Sequence, residues 1–271
     1  MTQAISSFSN PLVKRIKRLR QKKYRRREEA FFVEGLRVVL TAVEAGAPVE
    51  TLIYCPTLLT SDLAWAMLRR QEQMGRNCQA VTAELFTSIS GRDHPAGLGA
   101  IVRTRWTQLE DIVVGPEAIF VALFETSEPG NLGTILRTID AVGAQGALLI
   151  GDSVDPFHPS AVKASMGAVF SVDVARIASS EALFHWAKQA GLQTIATSAK
   201  AIDLYSGAPY RLPALLLLGS EGDGLPRPII EAADMAVTIP MAGRASSLNL
   251  AVAAGLLLYE IRRSTASQKD G

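Results

Sequence analysis

The sequence is poor in cysteine, histidine and aromatic residues. Its 271 residues include 2 cysteines, 3 histidines and 6% aromatic residues. Cys55 and Cys78 lie far apart and outside any Cys-x-x-Cys or His/Cys cluster, so neither a disulfide framework nor a zinc site is indicated and no metal is expected. No apolar run approaches the roughly 18 residues of a membrane span, and the polar, basic amino terminus lacks a signal-peptide stretch. We therefore expect a cytoplasmic protein with no membrane partner.

Two common nucleotide-binding signatures are absent as well. The chain contains no G-x-G-x-x-G and no G-x-x-x-x-G-K-[ST] motif, which argues against dinucleotide redox chemistry and against nucleotide hydrolysis. His94, His158 and His185 have no paired acid or nucleophile nearby in the sequence, and we interpret them as ordinary surface or packing residues.

The distribution of apolar residues predicts two domains. Hydrophobic residues make up 48% of the chain, which is enough for a sizeable core. The first part is predicted to be a small α/β unit, with helices at 11–23, 35–46, 60–73 and 83–89 and strands at 51–54, 79–81 and 98–102. The Gly115-Pro116 pair breaks this pattern. We therefore interpret 106–116 as a linker between domains spanning 1–105 and 117–271.

Apolar runs recur regularly after the linker. Strand-like runs lie at 118–124, 147–151, 170–175, 192–197, 214–219 and 235–240, with helical patterns at 132–143, 181–190 and 247–263. Strands that are apolar on both faces and alternate with helices favour a doubly wound α/β domain, whose parallel sheet is covered on both sides. The carboxyl ends of such strands face a ligand crevice, so the segments that follow them are the candidates for a site.

The basic residues are concentrated in one segment. Ten of the fourteen residues from Lys14 to Arg27 are Lys or Arg, while the remaining 18 basic residues are set against 26 acidic ones and leave a net charge of −8 elsewhere. Such a distribution is typical of a polyanion partner, and nucleic acid is the natural one. Leu12, Ile16, Leu19 and Tyr24 interleave at roughly helical spacing, so one face of a helix can dock while the others present charge. The alternative is a solvated helix face or a frayed arm.

The first candidate motif runs from Asn131 to Arg137 (N-L-G-T-I-L-R), shortly after the apolar run 118–124. We expect Asn131 to be the N-cap of a helix that begins near Leu132. Thr134 and Arg137 then share one helical face toward the crevice. The alternative is a plain turn with a capped helix and a salt-bridged surface arginine.

The second candidate motif, Gly219-Ser220-Glu221-Gly222-Asp223-Gly224, follows the apolar run 214–218. Its glycines permit positive φ angles and let the backbone approach a ligand closely. Glu221 is then expected at the end of a strand, in the crevice. The alternative is a glycine-rich turn with a solvated glutamate.

The third candidate motif runs from Ile239-Pro240-Met241 to Ser247-Leu248-Asn249 and precedes a strongly apolar helix. Ser246 and Ser247 are candidate caps for that helix. Asn249 lies in the first turn of an otherwise apolar helix, and a buried amide must find hydrogen-bond partners. Either backbone groups or a ligand would supply them.

Taken together, these motifs resemble the SpoU/TrmH family of S-adenosylmethionine-dependent RNA 2′-O-ribose methyltransferases. The patterns N-x-G-x-x-x-R, L-G-x-E-G-x-G-L and I-P-M-x(5)-S-L-N occur in the family's order, between about Ala118 and Arg263, and 155–170 is similar to the family's linking region. The first domain, through N-P-L-V-K at 10–14 and F-V-E-G at 32–35, is similar to the L30e-like substrate-binding module often fused ahead of the catalytic domain.

The resemblance implies a fold that periodicity alone does not predict. In this family the carboxy-terminal segment threads through a loop to form a trefoil knot, although knots are generally absent from proteins. The resemblance also implies S-adenosylmethionine as cofactor and a homodimer formed through the last helix. Residues at the matching positions would surround the methyl donor, namely Thr197, Ser198, Gly219, Ile239, Met241 and Leu248.

The resemblance also implies roles for polar residues of the three motifs. Arg137 is the candidate to bind and deprotonate the ribose hydroxyl, although a guanidinium stays protonated in proteins and would then act by phosphate contact and alkoxide stabilisation. Asn131, Glu221, Ser247 and Asn249 would orient the hydroxyl and the neighbouring phosphate. For RNA contact the candidates are Lys14, Arg15, Arg18 and Lys163, the last standing where relatives often carry arginine.

Two classes of function follow from this reasoning. The leading hypothesis is a methyltransferase acting on structured RNA, with ribosomal RNA favoured over transfer RNA because of the fused basic module. The rival is a non-catalytic RNA-binding or ribosome-assembly factor with the same fold. Loss of Arg137, Glu221 or Asn249 would have favoured the rival, and all three are present.

Overall fold

The computed structural model describes residues 4–267. These residues form two compact units: unit 1 extends to Thr104 and also includes Phe157–Phe170, while unit 2 comprises Arg105–Pro156 and the chain from Ser171 onward. The sequence predicts two consecutive domains, whereas the contacts in the structure group the later segment with unit 1. The outermost ends of the predicted domains, residues 1–3 and 268–271, lie outside the described residues.

Unit 1 is built on a four-stranded sheet. In chain order its elements up to Thr104 are α1 (Pro11–Leu19), α2 (Lys22–Glu28), β1 (Ala30–Glu34), α3 (Leu36–Glu44), β2 (Val49–Tyr54), α4 (Asp62–Gln73), β3 (Asn77–Ala80), α5 (Ala83–Ile89) and β4 (Leu98–Arg103). The strand order is β1-β4-β2-β3, in which β4 runs antiparallel to β1 and β2, and β3 is parallel to β2. The small α/β unit is as predicted, but the sequence patterns did not reveal β1.

The basic segment forms two helices rather than the one helix predicted. Helix α1 buries Val13, Ile16 and Leu19 against the core and ends at Leu19. Arg25, which is only 2% exposed, turns inward and caps this helix end, since its Nη1 donates to the carbonyl oxygens of Leu19 at 3.0 Å and Arg20 at 2.7 Å. These carbonyls at the end of α1 need partners that the helix itself no longer provides. One arginine of the run is therefore a buried structural residue.

Unit 2 is built on a seven-stranded sheet in which all pairs of strands are parallel. Continuing in chain order, the elements are β5 (Ile119–Phe124), α6 (Pro129–Ala141), β6 (Gly146–Ile150), α7 (Pro159–Ser165, which belongs to unit 1), β7 (Asp173–Ile177), α8 (Ser180–Gln189), β8 (Gln193–Thr197), β9 (Asp203–Leu204), β10 (Ala214–Leu218), α9 (Arg227–Ala232), β11 (Met235–Thr238) and α10 (Leu250–Ser267). The strand order is β7-β6-β5-β10-β8-β11-β9.

Helices cover both faces of this sheet. On one face Phe120 and Leu215 pack with buried residues of α8 and α9. Helix α10 packs against α6 and β10, and Nη2 of Arg262 on α10 donates to the carbonyl of Gly143, just after α6, at 2.7 Å. Since the side chains of each strand alternate between faces, α6 and α10 cover the opposite face. The parallel sheet covered on both sides is confirmed, and the trefoil knot remains a prediction.

Within residues 4–267, the structure contains no helix that is both long enough and apolar enough to cross a membrane.

Candidate active site

The three sequence motifs meet at the carboxyl edge of the large sheet. Strands β5 and β10 are neighbours and end within one residue of each other, because Leu218, the last residue of β10, pairs with Leu123, the residue before the end of β5. The loop after β5 leads into α6, which carries the first motif, and the loop after β10 carries Glu221. A crevice beside such strand ends is where parallel α/β sheets bind ligands.

A chain of side-chain hydrogen bonds joins one residue from each motif. The amide nitrogen Nδ2 of Asn131 donates to Oε1 of Glu221 at 3.0 Å. The Nδ2 of Asn249 donates to Oδ1 of Asn131 at 2.9 Å. Asn131 is therefore the central member, since its amide donates to one motif and accepts from the other. We call Glu221, Asn131 and Asn249 the site triad.

The Glu221 carboxylate is fixed from a second side by the loop after β5. Its Oε2 accepts hydrogen bonds from the backbone N–H and from the hydroxyl of Ser127, both at 3.2 Å. Burial by itself would raise the pKa of Glu221, but the hydrogen bonds from Asn131 and Ser127 outweigh burial and hold that pKa below its ordinary value. Glu221 is therefore an ionised acceptor with a fixed orientation.

The structure corrects two predicted helix caps. Helix α6 begins at Pro129 with Glu128 at the N-cap position, so Asn131 is a residue of the first turn and not the cap. Helix α10 begins at Leu250, and Oδ1 of Asn249 accepts from the N–H groups of Ala251 at 3.0 Å and Val252 at 3.4 Å. Asn249 itself therefore caps α10, and neither Ser246 nor Ser247 does. The amide of Asn131, which is not used as a cap, and the Nδ2 group of Asn249 both take part in the site triad.

Arg137 and Ser247 lie outside the hydrogen-bonded triad. Arg137 is an exposed residue of α6 and lies on its third turn, because the helix starts at Pro129. Among the residues that the structure describes, its guanidinium forms no hydrogen bond or ion pair. Ser247 is exposed in the segment before α10. The alternative of a salt-bridged surface arginine therefore has no support in the described part of the chain.

The residues predicted to hold the methyl donor lie at the ends of three neighbouring strands. Thr197 ends β8, Gly219 follows β10 and Ile239 follows β11, and these strands are adjacent in the sheet. The hydroxyl of Thr197 donates to the carbonyl of Leu217 at 3.1 Å, and Ser198 N donates to the carbonyl of Val237 at 3.0 Å. These bonds tie the ends of β8, β10 and β11 together.

Two apolar side chains near these strand ends are exposed. Met241 is 37% exposed and Leu248 is 36% exposed, and both belong to the segment that links β11 to α10. Apolar walls with a few polar backbone groups are the usual lining of a site for an adenine-containing ligand. The residues present therefore fit S-adenosylmethionine.

Gly219 is required by the backbone conformation of its own loop. A Cβ atom at this position would lie 2.0 Å from the carbonyl carbon of Gly224, so only glycine allows the loop to fold back on itself. Gly224 has a φ of +71° and donates from its N–H to the carbonyl of Ser220 at 3.2 Å. Gly219 and Gly224 therefore shape the tight loop that carries Glu221. The positive φ expected of these glycines is found at Gly224, and their close approach to a ligand stays a prediction.

Sequence reasoning missed residues in the loop between β5 and α6. Ser127 was not singled out, although it binds Glu221 through two groups. Glu125 adopts a φ of +52°, an uncommon conformation for a residue other than glycine. The hydroxyl of Thr126 is buried without a hydrogen-bond partner among the described residues. The only available signal was position, because all three lie between a buried strand and the first motif.

The predicted RNA-contact residues differ in how they are used. Lys14, Arg18 and Lys163 are exposed. Arg15 is half-buried, with its Nε 2.8 Å from Oε2 of Glu28. Its Nη1 lies 2.8 Å from Oε2 of Glu50. Arg15 is therefore neutralised by two carboxylates, whereas the three exposed cations are available to a partner.

Comparisons with known proteins identify the family of this chain. Residues 118–259 match the SpoU rRNA Methylase family, and residues 10–100 match the MRM3-like substrate binding domain. An AdoMet-bound rRNA methyltransferase from Sinorhizobium meliloti has a TM-score of 0.88 and 37% identity, with 97% of this chain and 98% of that chain covered.

Two curated relatives carry the name of a reaction. The 23S rRNA (uridine(2479)-2′-O)-methyltransferase of Streptomyces viridochromogenes is 33% identical, over 90% of this chain and 86% of its own length. The 23S rRNA (guanosine(2553)-2′-O)-methyltransferase RlmP of Bacillus subtilis is 28% identical, over 95% of this chain and 98% of its own.

The fold and site therefore define an RNA methyltransferase that uses S-adenosylmethionine. The chain belongs to the SpoU family of RNA methyltransferases and carries an MRM3-like substrate-binding domain ahead of the catalytic one. The enzyme class predicted from the sequence, an S-adenosylmethionine-dependent RNA 2′-O-methyltransferase, is confirmed at the level of the family.

Proposed function

We propose that this protein transfers a methyl group from S-adenosylmethionine to a ribose 2′-hydroxyl in structured ribosomal RNA. The observation that carries the proposal is the site triad, in which Asn131 joins Glu221 at 3.0 Å and Asn249 at 2.9 Å. A fixed set of polar groups beside the predicted methyl-donor residues is what a transfer between two bound molecules requires, because both reactants must be held in line.

The methyl donor, when bound, supplies an electrophilic carbon on a positively charged sulfur. The strand ends at Thr197, Gly219 and Ile239 would hold it, together with the apolar side chains of Met241 and Leu248. The site triad then orients the ribose, because an ionised Glu221 accepts hydrogen bonds from hydroxyl or amide groups and cannot donate one.

Arg137 acts on the oxygen that attacks the methyl group. A guanidinium keeps its proton in proteins, so its contribution is a fixed positive charge and directional N–H donors rather than proton removal. The hydroxyl loses its proton to solvent water as its oxygen bonds to the methyl carbon and the bond between that carbon and sulfur breaks. Such donors, aimed at the place where negative charge develops, stabilise the transition state. Its exposure and its lack of partners among residues 4–267 leave its donors available for the ribose oxygen or the adjacent phosphate.

Ribosomal RNA is favoured as substrate for two reasons. Two relatives whose names state a reaction are named as 23S rRNA methyltransferases, and the exposed cations Lys14 and Arg18 of α1 suit a phosphate backbone. Other relatives are named tRNA/rRNA methyltransferases, so transfer RNA is the second candidate.

We further propose that the enzyme works as a homodimer through α10. Val252, Leu256 and Tyr259 are 51%, 39% and 56% exposed, and their spacing places them on one face of the helix. An exposed apolar stripe on a helix whose other face is buried is typical of a surface that another chain covers. The cytoplasmic location expected from the sequence remains a prediction.

The test is tritium transfer from S-adenosylmethionine into total RNA, followed by nuclease mapping of the labelled nucleotide. We expect label in ribosomal RNA at a nucleotide whose phosphodiester resists alkaline hydrolysis, because a 2′-O-methyl group blocks the hydroxyl that attacks the phosphate. Label that remains sensitive to alkali would indicate base methylation. Binding of the donor without any transfer to ribosomal or transfer RNA would favour the non-catalytic assembly factor.

A further inference from the structure

Unit 1 contains a cleft that none of the predicted site residues except Lys163 lines. Its volume is about 220 Å³, and it lies between β1, the end of α5 and α7. All of these elements belong to unit 1, because Phe157–Phe170 groups with it. The cleft is smaller than the roughly 300–1,000 Å³ of pockets for drug-sized ligands, so it fits one planar ring better than a whole cofactor.

The inner wall of the cleft is apolar. Val33, Val38, Ile89 and Val162 contribute aliphatic surface, and Phe32 contributes an aromatic ring. This ring packs closely against Gly99 on β4, because a Cβ atom at Gly99 would lie 2.6 Å from Cζ of Phe32. Aliphatic and aromatic side chains around a small space are suited to one face of a flat, apolar group.

The rim of the cleft is cationic. Arg20, Arg92 and Lys163 all line it. Glu34 lies with its Oε1 3.5 Å from Nε of Arg92, so these two charges compensate each other. Nη2 of Arg20 donates to the carbonyl oxygens of Ile89 at 2.9 Å and Ser90 at 2.6 Å, and these bonds fix the guanidinium at the rim. A net positive charge remains on Arg20 and Lys163.

We propose that this cleft binds one unpaired nucleotide of the RNA substrate, with the base against Phe32 and the phosphate at Arg20 and Lys163. A nucleotide combines an apolar planar ring with an anionic group, which matches an apolar wall beneath a cationic rim. Single-stranded nucleotides bind proteins in this way, by stacking on an aromatic side chain within a positively charged groove. The inference rests on the proposed function only in taking RNA as the ligand.

The first experiment fills the cleft. Ser160 is exposed, lines the cleft and lies in the first turn of α7, so Ser160→Trp adds an indole to the space and Ser160→Ala leaves it open. The probes are a fluorescein-labelled oligouridylate and a duplex RNA of the same length. We expect Ser160→Trp in the full chain to raise the Kd for the single strand about fivefold or more, while Ser160→Ala and duplex binding stay unchanged.

The second experiment removes the charge at the rim. Lys163 is exposed in the last turn of α7, and Lys188 is exposed in the last turn of α8 in unit 2. Lys163→Glu and Lys188→Glu therefore change the net charge equally at equivalent helix positions. We expect only Lys163→Glu to weaken binding of the oligouridylate; equal weakening by both would assign the effect to net charge and overturn the inference.

Photocrosslinking decides the outcome without any variant. Oligouridylate carrying 4-thiouridine should crosslink to peptides that contain Phe32 or Ser160, and crosslinks confined to other peptides would overturn the inference.

The methyl-transfer assay separates the two proposals. Wild-type transfer with normal oligouridylate binding by folded Ser160→Trp would refute the cleft alone, whereas crosslinks at the cleft without any transfer would refute the proposed reaction alone.

Discussion

In the basic segment of unit 1, residues that are close in sequence have different roles. In the site triad of unit 2, residues that are far apart in sequence share one role. The basic segment concentrates ten cations within fourteen residues, yet Arg25 turns into the core and Arg15 pairs with Glu28 and Glu50. The site triad draws single residues from three distant motifs and joins them at 2.9 and 3.0 Å. Residues that are neighbours in the chain therefore take separate tasks, while residues far apart take one.

The difference follows from local geometry. Successive residues of a helix point in different directions, so a run of like charge must distribute itself between the core and the solvent. Parallel strands instead bring their carboxyl ends to one edge of the sheet, whatever the separation along the chain. A motif at a strand end is consequently a better guide to a shared site than a local concentration of charge.

The largest expected effect is that of Arg137→Ala. Removing a donor that stabilises developing charge lowers kcat by about 10²–10³, while binding of S-adenosylmethionine, measured by calorimetry, stays nearly unchanged. Single-turnover transfer to RNA gives the rate. If the variant keeps normal turnover, Arg137 is a structural or surface residue and the proposed chemistry is wrong.

Asn131→Ala is expected to have the next largest effect. Loss of the central amide leaves Glu221 and Asn249 without their shared partner, and misplacement of reacting groups by about 1 Å costs on the order of 10²-fold in rate. Asp140→Ala, at an exposed position near the carboxy-terminal end of the same helix, is the matched control and should retain activity. Equal losses in the two variants would mean that the helix, not the triad, was disturbed.

The same variant has a second readout in the titration of Glu221. In the wild type, the hydrogen bond from Asn131 is the largest of the influences that lower the Glu221 pKa. The stability that Glu221 contributes is therefore present above the ordinary pKa of about 4.3 and is lost as the pH falls through the lower folded value. In Asn131→Ala the pKa should move upward, which carboxyl NMR would detect; an unchanged pKa would contradict the observed geometry.

Much of unit 2 could be predicted from sequence because its signals are strong. Six apolar runs correspond to β5, β6, β7, β8, β10 and β11, since strands buried on both faces need continuous apolar residues. The two-residue strand β9 was missed because so short a segment has no periodicity. Proximity of the motifs was also predictable, whereas the central position of Asn131 was not, because the same residue type serves caps, turns and side-chain bridges equally well.

Unit 1 was harder to predict for a different reason. Strand β1 directly follows a basic helix, and its five residues are mostly buried, so they lack the alternation that marks a half-buried strand. Helix α7 lies between two strands of unit 2 in the sequence but groups with unit 1. Neither the order of elements along the chain nor the composition of this segment indicates that α7 groups with unit 1.

A third prediction tests whether the basic segment is divided as the structure indicates. Arg25→Met removes the partner of two carbonyls at the end of α1 and should lower the free energy of unfolding by about 2–4 kcal/mol. Arg26→Met, at the exposed neighbouring position, should change it by no more than about 0.5 kcal/mol. Urea denaturation measures both. Equal values would place Arg25 among the surface cations.

The smallest expected effect is that of the exposed cations on RNA affinity. Lys14 and Arg18 are exposed and four residues apart on α1, so they share one face and can contact neighbouring phosphates. The double substitution Lys14→Ala, Arg18→Ala should weaken RNA binding and reduce the slope of log K against log salt concentration by up to about 2, since each lost phosphate contact removes about one unit. Fluorescence anisotropy over a salt series gives the slope.

Arg15→Gln on the same helix separates charge from structure. Because Arg15 is paired with Glu28 and Glu50 at 2.8 Å each, its loss should lower stability while leaving the salt dependence of RNA binding at the wild-type slope. A reduced slope in Arg15→Gln would show that this arginine exchanges its carboxylates for phosphates when RNA binds. The basic segment would then act as a single unit after all, and its contrast with the site triad would hold only for the protein without RNA.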